Sequence, residues 1–286
     1  MADDIPLASL SLTHVYYDPS DHISYLCAWL ALVPQALCVV YVTLIWSTRE
    51  AEVGLMFAGQ LACEAVNFAL KRIIKEERPE RIHRTGKGYG MPSSHAQFVA
   101  FWAVAMVLFL LMRHTPSWTD HGYGPREQEQ EQNGDGDDGD DDDGTAAGTR
   151  TRRRRRTNKS AWGADWVMVE TYAHRPWSYT ERAVASVFVL AVAAAVSWSR
   201  VYLGYHTVKQ VLAGTLAGTL SAVAWYAVTH VVREVGLLSW ALESPVARGL
   251  RVRDLVVSED LSQAGWEKWE DRKLVAGQSW SSRKKK

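Results

Sequence analysis

Two histidines, His95 and His206, stand among basic side chains in three short stretches of this 286-residue chain. The stretches are Lys71 to Pro79 (KRIIKEERP), Pro92 to His95 (PSSH) and Ser199 to Gln210 (SRVYLGYHTVKQ). Cutting a phosphoester or a diphosphate needs a nucleophile, a proton donor for the leaving oxygen, and cations for the equatorial oxygens of the transferring phosphoryl group. His95, His206, Lys71, Arg78 and Arg200 supply that set without a metal. A serine of Pro92 to His95 can cap the helix of the apolar run that follows, and unpaired backbone N–H groups at a helix start form an anion site, with His95 in the first turn. On a helix His206 and Gln210 are i and i+4, so the amide oxygen can take a hydrogen from one imidazole nitrogen and leave the other free to attack. Glu64, Asn67 and Lys71 fall on one helical stripe, which makes Glu64 and Asn67 further candidates for orienting the site. The sequence holds no Walker-type loop, no HExxH and no Asp cluster suited to magnesium. Neither a metal, a cofactor nor a nucleic-acid partner is expected.

These residues sit at the mouths of apolar segments. Runs long enough to cross a bilayer, which takes about 20 residues, occur at 25–46, 53–70, 96–112, 183–198 and 208–232. The expected fold is therefore all-α, a polytopic membrane bundle of about five helices, with a large soluble helical bundle as the alternative. Formal net charge is zero, but residues 135–143 are almost all Asp and Gly, and Arg152 to Arg156 is an unbroken basic run. Such blocks cannot bury enough apolar surface to fold, so 122–160 is expected to be disordered. The organisation that follows is a polar segment 1–22, a first membrane part 23–113, a charged insertion 114–180, a second membrane part 181–234 and a tail 235–286. The piece Val235 to Leu242 is too short to span; it lies at the interface or extends the last crossing through a break. Met1 to His22 has no continuous apolar core, so the first spanning helix, not a cleavable leader, is expected to direct insertion. Cys27, Cys38 and Cys63 lie in apolar runs and read as small hydrophobes, not disulfide partners or metal ligands.

Five crossings put all three stretches on one face of the membrane. That face carries nine Lys and Arg residues (Lys71, Arg72, Lys75, Arg78, Arg81, Arg84, Lys87, Arg200 and Lys209), and the opposite face carries the other 23 of 32. Positive charge marks the cytosolic side, so the candidate site is expected to face a lumen or the cell exterior.

At these residues the chain resembles the type 2 phosphatidic acid phosphatase superfamily, whose pattern is K-x(6)-R-P, then P-S-G-H, then S-R-x(5)-H-x(3)-D. Lys71, Arg78 and Pro79 match the first part, Pro92, Ser93 and His95 the second, and Ser199, Arg200 and His206 the third. Ser94 replaces a glycine and Gln210 replaces the aspartate. Both departures, with the strings EAVNFALKRIIKEERP and YGMPSSHAQF, the tail piece LRVRD and the tryptophans 266 and 269, are similar to eukaryotic dolichyldiphosphatases. The likeness covers most of 20–275 outside the insertion at about 115–178.

The resemblance implies that dolichyl diphosphate, a polyisoprenyl diphosphate lipid, is cut to dolichyl phosphate and inorganic phosphate, which recycles the carrier of N-glycosylation at the lumenal face of the endoplasmic reticulum. It also implies roles. His206 forms a phosphohistidine, His95 protonates the leaving lipid phosphate, and Lys71, Arg78, Arg200, Ser93 and the backbone at Ser94 hold the phosphate. The C-terminus is then cytosolic, and Arg283 to Lys286 can act as a retrieval signal. Two other readings stand beside this one: a phosphatase for another lipid phosphate, and a catalytically silent membrane scaffold whose insertion recruits cytosolic partners.

Overall fold

The computed structural model describes residues 8–10, 15–79, 89–115 and 177–262, together with 265, 266, 268, 269 and 272. The stretch 122–160, expected to be disordered, and the basic end 283–286 lie outside the described residues. Among the described residues five helical segments are long and apolar enough to cross a membrane: His22–Thr48, Ala51–Ile74, Ser94–Arg113, Tyr179–Tyr202 and Val208–Glu234. They coincide with the five expected from the sequence, and the chain is a multi-pass membrane protein that is almost entirely helical.

The first crossing is broken. It consists of α1 (His22–Leu30) and α2 (Val33–Thr48), separated by a turn at Ala31 and Leu32, with Pro34 in the first turn of α2. Proline is tolerated there because the first N–H groups of a helix have no partner inside it. The other crossings are α3 (Ala51–Ile74), α4 (Ser94–Leu108) continued by a π-helical turn Phe109–Arg113, α5 (Tyr179–Tyr202) and α6 (Val208–Glu234). After a break at Gly236, whose φ of 73° suits a residue without a side chain, come α7 (Leu237–Glu243) and α8 (Pro245–Leu250). The apolar piece after the fifth crossing thus follows a break and is too short to span.

The polar N-terminal segment holds an element that its composition did not announce. Strand β1 (Ala8–Leu10) pairs antiparallel with β2 (Val15–Tyr17), Ala8 opposite Tyr17. Val15 packs into a small core with Cys27, Ala28, Ala31 and Leu203, which ties the hairpin to α1 and to the turn after α5.

Helix α4 is the centre of the bundle and pairs most extensively with α6 and then α5. Its residues Phe98, Val99 and Ala103 pack with Ala193 and Val196 of α5, while Phe101 meets Cys63 of α3 and Ala222 of α6. Helix α6 carries two stripes of opposite character. Leu212, Leu216 and Leu220 are exposed on one side, as lipid contact requires, while Gly214, Gly218 and Ala222 line the inner side at the same four-residue interval. Small residues let the backbones approach closely: a Cβ on Gly218 would stand 2.3 Å from the Gln97 carbonyl oxygen. All three cysteines are free; Cys27 and Cys63 are buried and Cys38 is half-buried.

At the end of the bundle opposite the three motifs, buried carboxylates hold the tail. Glu50 accepts hydrogen bonds from Arg253 Nε at 2.7 Å and from the backbone N–H groups of Leu255 and Val256. Glu52, 2% exposed, accepts from Arg113 at 2.7 Å and from Arg233 at 2.5 Å, and Arg233 also pairs with Asp254. These contacts join α3, α4, α6 and the LRVRD segment. Removing one member of a buried ion cluster strands the others, at a cost of roughly 3 to 5 kcal/mol. Glu52→Ala is therefore expected to lower thermal stability in detergent strongly, whereas an exposed change such as Lys209→Ala, 71% exposed at its side chain, is expected to have little effect.

Candidate active site

All three motif stretches meet at the end of the bundle where α3 and α5 finish and α4 and α6 begin. Helix α3 stops because Lys75 adopts a left-handed conformation (φ 52°) and its N–H closes on the Lys71 carbonyl. The chain then runs through Glu76, Glu77 and Arg78, and comes back at Gly90, whose N–H donates to the Glu76 carbonyl at 2.7 Å. Helix α4 starts at Ser94 with Ser93 as its N-cap, and the Ser93 N–H donates to the Gln210 carbonyl at 3.1 Å. This bond links the second motif to the third.

The start of α6 is fixed by a capping box. Thr207 Oγ1 accepts from the Gln210 N–H at 3.3 Å, and Gln210 Oε1 accepts from the Thr207 N–H at 3.3 Å. Gln210 is 1% exposed, and its amide is satisfied on both sides. Nε2 donates to the Glu77 carbonyl at 2.8 Å and to Glu76 Oε1 at 3.1 Å, while Oε1 lies 3.2 Å from His206 Nδ1. Because Nε2 faces two acceptors, the amide has only one sensible orientation, and its oxygen must face the imidazole. Nδ1 of His206 therefore carries the hydrogen, and Nε2 keeps its lone pair. Burial pushes this imidazole down to about 4; the Gln210 bond acts against that, and the charges of Arg78, Arg200 and Lys71 act with it. At neutral pH the ring is uncharged and able to attack an electrophile.

The second histidine has its own anchor. His95 Nε2 donates to the Ala31 carbonyl at 3.1 Å, so the break between α1 and α2 orients it. Its Nδ1 is the nitrogen left for proton transfer.

Around these rings stand donors with unused capacity. Arg200 is 2% exposed, its guanidinium lies 4.6 Å from the centre of the Tyr205 ring, and its Nε has no hydrogen-bond partner. The buried Arg78 Nε and Ser93 Oγ likewise have no partner among the described residues. Lys71 Nζ reaches Ser94 Oγ at 3.4 Å. Buried cationic donors without acceptors are costly, and an anion carrying several oxygens satisfies them together. Tyr205 helps to seal the site: its hydroxyl accepts from the Tyr16 N–H of β2 at 2.7 Å, and burial raises the phenol above its ordinary range.

The other two orienting candidates lie elsewhere on their helix. The Asn67 amide donates to Gln97 Oε1 at 2.6 Å, inside the α3–α4 contact. Glu64 lines a cavity of about 220 Å³ with Pro34, Gln35, Cys38, Ser94, His95 and Phe98, and its buried Oε1 has no hydrogen-bond partner among the described residues. Thus Gln210 contacts the His206 ring, Glu64 shares a cavity with His95, and Asn67 binds a packing residue. Glu76, Glu77, Ala31 and Tyr205 were not singled out in the sequence. Only Glu76 had a signal, as a carboxylate inside the first motif; Glu77 and Ala31 act here through their backbone carbonyls.

The model of the PAP2 superfamily matches residues 52–234, which run from α3 to the end of α6 and include Lys71, Arg78, Ser93, His95, Arg200, His206 and Gln210. A Neurospora crassa protein assigned as a dolichyldiphosphatase is 68% identical over 287 residues, covering 100% of this chain and 99% of its own length. The chain belongs to the dolichyldiphosphatase family of the PAP2 superfamily. Human dolichyldiphosphatase 1 is 35% identical over 78% of this chain and 72% of its own length. The Saccharomyces cerevisiae dolichyldiphosphatase is 24% identical over 82% and 76%, respectively. No solved structure matches the chain. Because the Neurospora protein matches the whole length, the insertion and the tail are shared at least between these two family members.

In this dolichyldiphosphatase-family chain the register between α4 and α6 depends on Gly214. A Cβ there would lie 2.5 Å from the Ser93 carbonyl oxygen and 3.2 Å from its nitrogen, both rigid backbone atoms. Gly214→Ala is expected to push Ser93 away from Gln210 and lower activity about 100-fold, the scale of a displacement near 1 Å at a catalytic constellation. Gly54→Ala, where nothing lies within 4 Å of the added Cβ, is the matched control and should leave activity unchanged.

Proposed function

We propose that this chain hydrolyses dolichyl diphosphate to dolichyl phosphate and inorganic phosphate through a phosphohistidine on His206. The observation that carries the reading is the His206–Gln210 hydrogen bond, which leaves Nε2 unprotonated within a ring of Arg78, Arg200 and Lys71. His206 Nε2 attacks the terminal phosphorus. The bond from that phosphorus to the bridging oxygen breaks, and His95, which enters the step as an imidazolium paired with the bound anionic diphosphate, gives its Nδ1 proton to the departing dolichyl phosphate and keeps its Nε2 hydrogen on the Ala31 carbonyl. Lys71, Arg78, Arg200, Ser93 Oγ and the N–H at Ser94 hold the three equatorial oxygens, whose charge is spread in the transition state. Water then attacks the phosphohistidine, His95 takes its proton, and inorganic phosphate leaves with His206 regenerated.

The chemistry of His206 favours an anhydride over an ester. Its Nδ1 partner is an amide, which stabilises an imidazolium less than a carboxylate does, so the ring is a modest nucleophile. A lipid phosphate is a far better leaving group than an alkoxide. Apolar Phe98, Pro34 and Cys38 line the cavity next to His95 and suit isoprenoid carbon at the leaving-group side.

The motif end faces the lumen of the endoplasmic reticulum and the tail faces the cytosol, which agrees with the distribution of Lys and Arg between the two faces. In that setting the reaction returns the lipid carrier for protein N-glycosylation. The test is phosphate release by the purified chain from dolichyl diphosphate, dolichyl phosphate and phosphatidate, with and without a divalent-metal chelator. The expected result is a preference for the diphosphate, unchanged by chelator. Equal or faster release from phosphatidate would favour the broader lipid-phosphatase reading, and loss of activity in chelator would refute a site that works with its own cations.

A further inference from the structure

We infer that Glu76 is a positioning residue for His206, acting through the side chain of Gln210. The inference rests on the proposal that His206 is the nucleophile. Three side chains lie in series: Glu76 Oε1 accepts from Gln210 Nε2 at 3.1 Å, and Gln210 Oε1 accepts from His206 Nδ1 at 3.2 Å. A carboxylate on the amide nitrogen draws its hydrogens and increases the negative charge on its oxygen, so the anion is felt at the imidazole one residue away. The Glu77 carbonyl, at 2.8 Å from the same nitrogen, completes the orientation. Gly90 leaves room for this packing, since a Cβ there would lie 2.9 Å from both amide atoms of Gln210.

A carboxylate in contact with solvent is ionised at neutral pH, so Glu76 carries the charge that this role requires with or without Lys209. Its carboxyl sits below the usual carboxylate range, mainly because of the hydrogen bond from Lys209 Nζ at 2.9 Å and then that from Gln210. The charges around His206 are Lys71 on α3, Arg78 after it and Arg200 on α5, with the His95 ring of α4 close by. These cations disfavour an imidazolium. Glu76 is the carboxylate hydrogen-bonded toward the ring, through one amide, and it offsets them as the nucleophile gains positive charge. An aspartate at position 210 would touch His206 directly but could donate nothing to Glu76 or to the Glu77 carbonyl. Glutamine is the residue that both joins the ring and accommodates the acid behind it.

The experiment uses the full-length protein in detergent, with dolichyl diphosphate as substrate, and a melting curve for each variant. Glu76→Ala is expected to lower kcat about tenfold, the effect of losing one charge-assisted hydrogen bond, with KM changed less than about twofold. Glu76→Gln, which keeps an acceptor but not the charge, is expected to fall between the two and guards against misfolding of the alanine variant. In a Gln210→Ala background the further change Glu76→Ala should add almost nothing, because the path is already cut. Lys209→Ala, which removes only the exposed ion pair, should stay within about twofold of wild type.

The exchange Glu76→Gln with Gln210→Glu moves the carboxylate onto His206. It should raise the acid limb of kcat/KM by about 1 to 3 pH units, because a direct anion stabilises the imidazolium. Effects of Glu76→Ala and Gln210→Ala that multiply, or a Lys209→Ala loss as large as that of Glu76→Ala, would overturn the inference and mark Glu76 as a loop anchor. A fully active His206→Ala variant would instead overturn the reading on which it rests.

Discussion

His206→Ala is expected to remove phosphate release from dolichyl diphosphate, by on the order of 10⁶-fold, while the protein still inserts and folds. The loss is larger than for any other side chain because His206 is the group that bonds to the phosphorus, oriented for it by Gln210, whereas Arg78, Arg200 and Lys71 hold the phosphate and His95 moves a proton. Folding should survive, because His206 contributes one hydrogen bond to Gln210 and the capping box of Thr207 and Gln210 is closed without it. The wild-type pH profile follows from the same environment. Burial places the imidazole near 4, below its ordinary value of about 6.5, so the free enzyme keeps a neutral nucleophile down to acidic pH. The acid limb of kcat/KM assigned to His206 should lie near 4, and not near 6.5. The sign for stability is the same: the unfolded chain binds a proton as pH falls through about 6.5 and the native site does not, so stability declines between those two values.

His95→Ala is expected to cost about 100- to 10,000-fold, the range for loss of a general acid, and the size should depend on the leaving group. With dolichyl phosphate, whose leaving oxygen becomes an alkoxide, the proton is indispensable. With dolichyl diphosphate the loss should be smaller, and with a nitrophenyl phosphate ester it should be smallest. A loss of equal size on all three substrates would mean that His95 holds phosphate or supports the fold instead of transferring a proton. The distinction is measurable because His95 is tied to the bundle by one backbone acceptor at the α1–α2 break.

The parts of this molecule legible in the sequence are those whose signal is local. Five apolar runs gave five crossings, since crossing a bilayer imposes a length and composition that few soluble helices share. The three motifs gave the rings and cations, because Lys71 and Arg78, Ser93 and His95, and Arg200, His206 and Gln210 each lie within a few residues of one another. What was not legible depends on partners far along the chain. Glu52 reads as one acid at a helix start, yet it holds arginines 61 and 181 residues away. Ala31 carries no side-chain signal at all, because it acts through its carbonyl. The hairpin at Val15–Tyr17 belongs to a short polar stretch, and its contact with Tyr205 crosses 189 residues. Gly214 and Gly218 form a G-x-x-x-G pair in an apolar helix, a packing signal present in the sequence but not singled out from it. Gln210 was seen as a departure whose consequence stayed open, because the carboxylate behind it joins a different motif, 134 positions upstream.

The most direct measurement is rapid quenching of the purified protein with dolichyl diphosphate labelled on its terminal phosphate, followed by peptide mapping under alkaline conditions that preserve phosphohistidine. The expected result is a label on His206 that appears within one turnover, decays as inorganic phosphate forms, and is absent from the His206→Ala variant. Label on another residue, or full turnover with His206 replaced and no label on the protein, would contradict the account.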